Sequence, residues 1–405
     1  IDFVHEGGFA VKILIADKVS AGMVADLEAL GAGVTLLPDV SADALAGALA
    51  GVDVLVVRSK KVTAEAIAAA DSLSLIVRAG AGVNTIDVAK ASEKGIYVAN
   101  CPGKNTDAVA ELAIGLLIAA DRRIPEALAD LRAGLWRKKE YGKARGLKGR
   151  TLGIVGLGSI GAAVARRALG LEMNVVGWSR GLTPARAKAL GIGHCASLEE
   201  LADCADAVSV HLALTKETRG LIGAAFFERL KKGALFVNTS RGEIVDGPAL
   251  DAALFAGRIR AALDVFENEP SGGEAPFAGA ELAGHLAAAS PHIGASTEQA
   301  EEAIAEEAVR VVRLFMETGK PVNAVNPRKA QKGVPLIVRH YNRVGVLAGV
   351  LGELRAEGIN IEEMENTIFE GEHAACCALT LDRAPSPELI RRLGEMENVI
   401  QAALK

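Results

Sequence analysis

The segment GIVGLGSIGAAVA at residues 153–165 constrains the fold of this chain more than any other. It joins an apolar run typical of a strand to an alanine-rich run typical of a helix through a GxGxxG turn. The first two glycines of such a turn let the backbone approach a pyrophosphate, and the third lets helix and strand pack closely. The helix N-terminus adds unpaired N–H groups. We therefore predict a dinucleotide-binding unit whose cradle consists of Gly156, Gly158, Ser159, Ile160 and Gly161.

Two series of alternating strand and helix patterns run along the chain. Its 405 residues exceed what one core usually holds, so two or three domains are expected. Hydrophobic residues make up 50% of the chain and glycine occurs 44 times, which suits an α/β protein with doubly wound parallel sheets. The expected strands are KILIAD, GVTLLP, VDVLVVRS, LSLIVRAG and GIYVAN in the first series, and TLGIVG, NVVGWS, DAVSVHLAL, GALFVNTS, AALDVF and LAAASPHIG in the second.

The order of elements changes after TGKPVNAVNPRKAQKG, a run with the composition of a linker. The segments VPLIVRHY, INIEEMENTIF, HAACCALTLD and VIQAALK are expected strands, and helices are expected at 346–357 and 387–396. This β-α-β-β-α-β order is that of a ferredoxin-like unit, which we place at 334–405. Residues 1–10 are left out of the expected fold, because the first strand pattern begins at Val11.

Charge and composition exclude several classes of partner. The formal net charge is −5 and basic residues are scattered, so no nucleic-acid surface is indicated. The most apolar helix candidate, at 108–120, contains Glu111 and is shorter than the ~20 residues that span a bilayer. The five cysteines form no CxxC pair and no spacing typical of zinc, so no metal is expected. We expect a cytoplasmic protein with neither membrane nor nucleic acid as a partner.

The residue that selects between NAD and NADP departs from the usual pattern. The strand after the glycine turn ordinarily ends in an acidic residue that accepts hydrogen bonds from the ribose hydroxyls. Here NVVGW is followed by Ser179 and Arg180. Arg180 suits a 2′-phosphate, although a surface arginine stacked on adenine would look the same. NAD is the predicted cofactor, and NADP stays open.

Three polar side chains follow predicted strands of the second series. Arg241 comes directly after FVNTS, at the sheet edge where open α/β folds bind ligands, and a guanidinium there can pair with a carboxylate. His292 follows AAASP, and an imidazole can shuttle a proton near neutral pH. Glu269 in DVFENEP can hydrogen-bond the second imidazole nitrogen and orient the ring. With the dinucleotide turn, these residues predict hydride transfer between a nicotinamide and a hydroxy acid.

NTSRGEIVD, LDVFENEP and SPHIGAST, with GLGSIG, closely resemble the signatures of the D-isomer-specific 2-hydroxyacid dehydrogenases, and the resemblance covers most of residues 11–325. It implies that Arg241 anchors the substrate carboxylate, that His292 is the acid and base, and that Glu269 is its partner.

The same resemblance implies a split domain. A substrate-binding domain at 11–104 and 298–326 would enclose a nucleotide-binding domain at 105–297. It also implies cofactor contacts by Asp264, at the nicotinamide carboxamide, and by Asn105, Thr106 and Thr215.

The N-terminal series offers anion-binding groups. Arg58 in VVRSKKVT and Arg78 in IVRAGAGVN each end a predicted strand, and the glycines after Arg78 expose backbone N–H groups. A carboxylate site and a phosphate site would suit a phosphorylated hydroxy acid, with Arg58 as our phosphate candidate. These loops resemble those of the phosphoglycerate-oxidising members of the family, which implies 3-phosphoglycerate as the substrate. The predicted substrate contacts are Arg58, Ser59, Arg78, Ala79, Gly80 and Gly82.

The C-terminal unit resembles an ACT regulatory domain. The block H-x-N-R-x-G-V-L, which contains His340 and Asn342, and the following G-I-N-I, which contains Asn360, carry the resemblance. It implies that these three side chains bind an amino-acid effector, L-serine. Because such a unit leaves sheet edges exposed, we expect it to pair with another copy in a homodimer or homotetramer.

Two other interpretations stay open. The same chemistry on hydroxypyruvate, glyoxylate or 2-oxoglutarate would need no phosphate site, and Arg180 would favour it if NADPH were used. A corepressor of the same fold would keep the Arg, Glu and His set and bind NAD(H) as a sensor. The ACT-like C-terminus argues against both. Turnover of a 2-hydroxy acid separates an enzyme from a sensor.

Overall fold

The computed structural model describes residues 11–270, 275–328 and 333–405, so the segment 1–10 lies outside the described residues. The chain divides into two compact units between Asn326 and Pro327. The larger unit contains two parallel sheets, and the smaller contains one antiparallel sheet.

Five parallel strands form the first sheet of the larger unit. They are β1 (Lys12–Ile15), β2 (Gly33–Leu36), β3 (Val54–Val57), β4 (Leu75–Arg78) and β5 (Tyr97–Asn100), with helices α1 (Ala21–Ala29), α2 (Leu45–Ala48), α3 (Ala64–Ala69) and α4 (Val88–Glu93) between them. The strand order is β2-β1-β3-β4-β5. All of β3 is buried, which explains why its sequence is an unbroken apolar run instead of an alternating one.

Helices flank the second sheet of the same unit. They are α5 (Thr106–Arg122), α6 (Ile124–Arg132), α7 (Lys138–Tyr141), α8 (Ser159–Gly170), α9 (Pro184–Ala189), α10 (Leu198–Cys204), α11 (Ala224–Arg229), α12 (Gly247–Phe255) and α13 (Ala280–Ala283). The predicted apolar run at 108–120 is the buried middle of α5, which packs against the sheet through Ala113 and Leu117. Across the described ranges, no helix combines the length and the apolar character needed to cross a membrane.

The strands of the second sheet are also parallel. They are β6 (Thr151–Val155), β7 (Asn174–Trp178), β8 (Gly193–His194), β9 (Ala207–Val210), β10 (Ala234–Asn238), β11 (Ile259–Leu263) and β12 (Ala288–Ala289). Their order is β8-β7-β6-β9-β10-β11-β12. The connection direction reverses between β6 and β9, and open α/β sheets bind ligands at the carboxyl ends of strands beside such a reversal.

Helix α14 (Glu298–Thr318) returns the chain from the second sheet to the first. Thr297 caps its start by accepting a hydrogen bond from the Ala300 N–H, and Gly319 ends it in the left-handed conformation. Its buried residues, including Val311 and Phe315, share a core with the strands of the first sheet.

A buried carboxylate fixes this helix where the chain crosses between sheets. Glu307 receives hydrogen bonds from Arg310 on the same helix and from Asn323 Nδ2 at 2.7 Å. Lys104, at the start of the outward crossing, lies 3.4 Å from the same carboxylate. The pKa of Glu307 falls to about 2, chiefly because of the Arg310 hydrogen bonds.

The smaller unit has the predicted order of elements. It comprises β13 (Val334–Tyr341), α15 (Val346–Ala356), β14 (Ile361–Ile368), β15 (Ala374–Leu381), α16 (Pro387–Glu395) and β16 (Val399–Leu404). The sheet order is β14-β15-β13-β16, with antiparallel neighbours throughout. Both helices pack on one face of the sheet, through residues such as Leu354 and Leu389. The predicted α/β fold class with parallel sheets is confirmed, and the antiparallel sheet is compatible with an ACT unit.

Candidate active site

The glycine turn lies at the carboxyl end of β6 and opens α8. Gly156 adopts φ +100°, and a Cβ there would collide with the His211 carbonyl group. A Cβ on Gly161 would collide with the Gly156 carbonyl group, so close packing requires glycine there. Gly158 caps α8, and its Cβ position has no contact within 4 Å beyond its chain neighbours. The cradle is thus closed toward the protein and open where a pyrophosphate would approach.

The carboxyl end of β7 carries a cation near a carboxylate. Ser179 is half-buried and Arg180 is exposed. Thr215 Oγ1 donates to Glu217 Oε2 at 2.6 Å, and this hydrogen bond is the largest cause of the lowered pKa of Glu217. The charge of Arg180 acts in the same direction. The charge of Arg180 therefore favours the ionised form of Glu217.

An imidazole and a carboxylate form a short pair at the ends of β11 and β12. His292 Nδ1 lies 2.6 Å from Glu269 Oε2, and Glu269 Oε1 accepts the Phe266 N–H at 3.0 Å. Partial burial acts to raise the pKa of Glu269. The hydrogen bonds from His292 and Phe266, with the charges of His292 and Arg241, outweigh it and lower that pKa. The pair leaves Nε2 as the imidazole nitrogen that Glu269 does not hold.

Asp264 holds the backbone of the loop that carries His292. His292 has φ 52°, a left-handed conformation, and its N–H donates to the Asp264 carbonyl oxygen at 2.7 Å. The Asp264 carboxylate accepts hydrogen bonds from Ser290 Oγ at 2.7 Å and from the N–H groups of Ile293 and Gly294, both at 2.9 Å. Asp264 is 1% exposed. Its buried hydrogen bonds to the loop backbone fix the position of the imidazole.

Arg241 bridges the two sheets. Asn238 Nδ2 donates to the Arg241 carbonyl oxygen at 2.9 Å, which shapes the loop after β10. The Arg241 guanidinium reaches the loop after β4, where Nη2 lies 3.5 Å from Asn84 Oδ1. A Cβ on Gly82 would lie 2.7 Å from that Nη2. The predicted substrate loop and the predicted carboxylate anchor are therefore brought together.

A second guanidinium, that of Arg78, lies close to the Arg241 guanidinium. Arg78 folds back over Gly80, where φ is +152° and a Cβ would collide with Nη1. Its Nε is buried and has no hydrogen-bond partner within the described parts of the chain. Burial, followed by the nearby charge of Arg241, lowers the pKa of Arg78 to about 10. Two cations close enough to oppose each other's charge form a site for an anion.

Comparison with known proteins decides the family. Residues 114–294 match the profile of the D-isomer specific 2-hydroxyacid dehydrogenase, NAD binding domain. The chain is 41% identical to a D-3-phosphoglycerate dehydrogenase of Methanocaldococcus jannaschii over 367 residues, which are 90% of this chain and 68% of that protein. The chain belongs to the D-isomer-specific 2-hydroxyacid dehydrogenases. The prediction of an enzyme with a nicotinamide cofactor is thereby confirmed.

This dehydrogenase is also similar to a glyoxylate reductase and to a 3-phosphoglycerate dehydrogenase of known structure. It is 42% identical to a glyoxylate reductase of Thermococcus litoralis over 273 residues, which are 66% of this chain and 81% of that protein. The NAD⁺-bound 3-phosphoglycerate dehydrogenase of Entamoeba histolytica superposes with a TM-score of 0.66 at 29% identity. That match covers 78% of this chain and 98% of the other.

The phosphate candidate of the sequence analysis is already paired. Arg58 Nη2 lies 2.7 Å from Glu301 Oε1 on α14. The N–H groups of Arg58 and Ser59 both donate to Asp17 Oδ2, at 2.7 and 3.1 Å. Because these partners occupy the loop after β3, Arg78 has the guanidinium that is freer to bind substrate. The predicted substrate contacts in the loops after β3 and β4 stay predictions.

The remaining predicted cofactor residues follow strands of two different sheets, β5 of the first and β9 of the second. Asn105 caps α5 through its backbone, Thr106 is the first residue of that helix, and Thr215 follows β9. Asp264 is occupied by three hydrogen bonds within the protein, so its predicted contact to the nicotinamide stays a prediction.

Several residues that hold the loops of the site in place were not predicted from the sequence. Asn84 and Asn100 both hold the substrate loop: Asn84 meets Arg241, and Asn100 Nδ2 donates to the Ala81 carbonyl oxygen at 2.5 Å. Arg186 donates to the carbonyl group of Leu157 in the glycine turn at 2.9 Å. These contacts join residues far apart in sequence, and no local pattern marks them.

The three predicted effector residues do not converge within one copy of the smaller unit. His340 is 2% exposed, and its ring nitrogens lie 2.8 Å from the Tyr341 carbonyl oxygen and 3.2 Å from Asn366 Oδ1. It pairs with the start of β15, whereas Asn360 precedes the strand that pairs with the end of β15. At about 3.3 Å per residue, these ends are roughly 20 Å apart. Among the described residues, one copy of the smaller unit does not bring all three together, and the effector site expected at paired units stays a prediction.

Proposed function

We propose that this dehydrogenase oxidises 3-phosphoglycerate to 3-phosphohydroxypyruvate with NAD as the hydride acceptor. Identity alone does not separate the candidates, since the phosphoglycerate dehydrogenase and the glyoxylate reductase score 41% and 42%. Coverage does separate them. The former aligns with 90% of this chain, whereas the latter aligns with 66%.

The observation that carries the proposal is the approach of Arg78 and Arg241 beside the His292–Glu269 pair. A substrate with one carboxylate needs only one guanidinium. A second guanidinium in the same site, partly buried and without an anion to pair with, would be costly. A substrate with a carboxylate and a phosphate supplies anions for both. We assign the carboxylate to Arg241 and the phosphate to Arg78, with Arg58 at the periphery because Glu301 already neutralises it.

Arg241 orients the substrate and polarises its reacting oxygen. Its loop is fixed by Asn238, so the guanidinium is positioned before substrate arrives. A bidentate pair with the carboxylate would hold C2 and its hydroxyl group toward His292. Arg78 and the N–H groups around Gly80 would hold the far end.

His292 moves the proton. In the oxidation direction, Nε2 accepts the proton of the C2 hydroxyl group as the hydride leaves C2. The ionised Glu269 carboxylate holds Nδ1 and stabilises the positive charge that the ring acquires. Asp264 keeps the ring in place through the loop backbone. When bound in the glycine cradle, NAD supplies the acceptor for the hydride.

The domain boundaries follow from the two sheets. We propose that 11–104 and 298–326 form the substrate-binding domain and 105–297 the nucleotide-binding domain. In support, α14 shares its core with the first sheet, and the active-site residues Arg78 and Arg241 come from different sheets.

NAD is proposed as the preferred cofactor, because Glu217 lies near Arg180 and offsets the charge that a 2′-phosphate would require. The runner-up, an NADPH-dependent glyoxylate or hydroxypyruvate reductase, is favoured by Arg180 and Arg186 at this end of β7. The ratio of turnover with NAD to turnover with NADP separates the two.

His292→Asn tests the enzymatic proposal and the corepressor alternative together. The substitution keeps a polar side chain but removes the proton acceptor. Turnover should be lost while NAD affinity stays that of the parent, because no cofactor contact is removed. An unaltered parent chain that binds NAD tightly but oxidises no 2-hydroxy acid would instead favour a sensor.

We further propose that L-serine binds between two copies of the smaller unit. Strand β14 is an edge strand with exposed Met364 and Ile368, each about half exposed. Edge strands of this kind pair with another copy. Antiparallel pairing of two β14 strands would bring the start of one beside the end of the other. Asn360 of one copy would then approach the hairpin at residues 369–373 of the second, to which Asn342 Nδ2 is hydrogen-bonded.

This regulatory proposal has its own test. Asn360→Ala should weaken serine binding in calorimetry without changing the oligomeric state. Met364→Glu should weaken both serine binding and the association of the two copies, because it places like charges opposite each other where the two β14 strands pair. If the parent binds no serine, or if Met364→Glu changes neither property, the proposal is wrong.

A further inference from the structure

The loop after β4 has backbone N–H groups that the rest of the described chain does not use. The Ala79 N–H donates to the Val57 carbonyl oxygen at 2.7 Å, which continues the pairing of β4 with β3. The next N–H groups but one, those of Ala81 and Gly82, donate to no described residue. Both residues are half-buried. Successive unpaired N–H groups in a turn can bind an anion.

The end of β5 fixes the direction of these two N–H groups. Asn100 Nδ2 donates to the Ala81 carbonyl oxygen at 2.5 Å, and the Cys101 N–H donates to the Gly80 carbonyl oxygen at 3.0 Å. Both carbonyl groups therefore point toward β5. Because a trans peptide directs its N–H opposite to its carbonyl group, the Ala81 and Gly82 N–H groups point away from β5.

Gly82 lies beside the proposed carboxylate anchor. A Cβ on Gly82 would lie 2.7 Å from Arg241 Nη2, so the Gly82 backbone and the guanidinium are neighbours. A carboxylate has enough lone pairs to accept from both donors, and hydrogen bonds to an ionised oxygen are the strong ones. One carboxylate can therefore bind the Gly82 N–H and Arg241 together.

The loop needs a hydrogen bond that selects this orientation, because glycines flank Ala81 on both sides. Gly80 has φ +152°, a conformation that other residues rarely adopt. This freedom lets the peptide between Ala81 and Gly82 turn over at little cost. A turned peptide would present its carbonyl oxygen where the N–H now points. The hydrogen bond from Asn100 Nδ2 stabilises the orientation that binds an anion.

Asn100 is itself held by the segment that returns from α14. Its N–H lies 3.4 Å from the Asn323 carbonyl oxygen, and the preceding residue, Ala99, pairs with Ala324 in an antiparallel bridge. Asn323 Nδ2 in turn donates to the buried Glu307 at 2.7 Å. The amide of Asn100 is therefore in position before a substrate arrives, which lowers the entropic cost of ordering the site.

We propose that Asn100 is a positioning residue for the dehydrogenase reaction. It does not touch the substrate. It holds the Ala81 carbonyl group, so that the Gly82 N–H binds the substrate carboxylate beside Arg241. The inference rests on the proposed function only in placing a carboxylate at Arg241, and it applies to a phosphorylated and to a non-phosphorylated hydroxy acid alike.

Oxalate binding to the NAD-saturated full chain tests the assignment, because oxalate has the carboxylate of any 2-hydroxy acid and no phosphate. Asn100→Leu keeps the approximate size of the side chain and removes the donor, so calorimetry should show oxalate affinity lowered about fivefold. Asn100→Asp should lower it further, since the carboxylate accepts the Gly82 N–H and turns the peptide. The order should persist at about 1 M salt, where the Debye length is about 3 Å and simple repulsion is screened.

A purely structural role would give the reverse order, because Asp is closer to Asn in shape than Leu is. With a hydroxy acid that the parent oxidises, the variants should raise KM more than they lower kcat, since the His292–Glu269 pair is unchanged. NAD affinity should equal that of the parent in both variants. It reports correct folding, because the glycine turn belongs to the other sheet.

Asn326→Leu is the matched control. Asn326 Nδ2 donates to the Ile96 carbonyl oxygen at 2.8 Å near the start of β5, so the substitution removes the same kind of hydrogen bond away from the loop. Oxalate affinity should stay that of the parent.

The proposal is overturned if both Asn100 variants bind oxalate as the parent does, or if Asn100→Leu binds it more weakly than Asn100→Asp. It is also overturned if Asn326→Leu loses as much affinity as Asn100→Leu, or if the NAD-saturated parent binds no oxalate. Failure of the proposed function has a different result: a parent chain that binds oxalate through Asn100 but does not oxidise 3-phosphoglycerate.

Discussion

His292 Nδ1 lies 2.6 Å from Glu269 Oε2, and the other oxygen of that carboxylate accepts a backbone N–H. Glu269 therefore cannot rotate away from the ring without losing two hydrogen bonds. The arrangement fixes the ring orientation and leaves Nε2 for the substrate.

Glu269→Gln should lower kcat by about 10²-fold or more, because the charge that supports proton transfer is lost while the shape is kept. NAD affinity should be nearly unchanged. Steady-state kinetics and NAD titration measure the two effects. Glu267→Gln is the control, since this neighbouring exposed carboxylate has no contact with His292 in the described structure. Equal losses in the two variants would refute the pairing.

The glycine turn predicts opposite behaviour for two alanine substitutions. Gly158→Ala enters open space, so thermal unfolding should match that of the parent, while NAD affinity falls because the Cβ blocks the pyrophosphate. Gly161→Ala would collide with the Gly156 carbonyl group and should destabilise the protein by about 1–3 kcal/mol. Calorimetry of unfolding and of NAD binding distinguishes them. Normal NAD binding by Gly158→Ala would contradict the placement of the cofactor.

Much of this architecture could be predicted, because strands and their ends are local features. GALFVNTS predicts β10 with Arg241 at its carboxyl end, and the structure has it there. Strand β8 was missed, because the two residues Gly193 and His194 carry no apolar pattern. LAAASPHIG yields only Ala288–Ala289 as strand, since the loop that Asp264 holds replaces the rest.

Long-range partners could not be predicted from pattern. Arg58 was assigned to phosphate because it ends a strand, but its partner Glu301 lies 243 residues away in sequence. Such relationships depend on register and packing.

Arg78 and Arg58 should differ in their effect on substrate binding. Arg78→Gln should raise the KM for 3-phosphoglycerate by about tenfold to hundredfold, the usual range for a lost charged hydrogen bond. Arg58→Gln should raise it less, because Glu301 already neutralises that guanidinium. Steady-state kinetics with both variants checks this order. A larger effect at Arg58 would restore it as the phosphate residue.

Glu307 should stabilise the larger unit in a pH-dependent way. Its folded pKa of about 2 is below the unfolded value near 4.5, so its contribution is fully present above pH 4.5 and declines as pH falls toward 2. The shift corresponds to about 3 kcal/mol at neutral pH. Glu307→Gln should therefore unfold at lower urea concentration at pH 7, with a smaller difference from the parent at pH 4. A difference that grows on acidification would contradict the assignment.

The decisive measurement is the rate of NAD reduction by the parent chain with 3-phosphoglycerate and with D-glycerate. Both acids carry the carboxylate that Arg241 binds, but only the first has the phosphate assigned to Arg78. We expect a kcat/KM for 3-phosphoglycerate at least tenfold above that for D-glycerate. Equal values, or oxidation of D-glycerate alone, would contradict it and leave a non-phosphorylated hydroxy acid as the substrate.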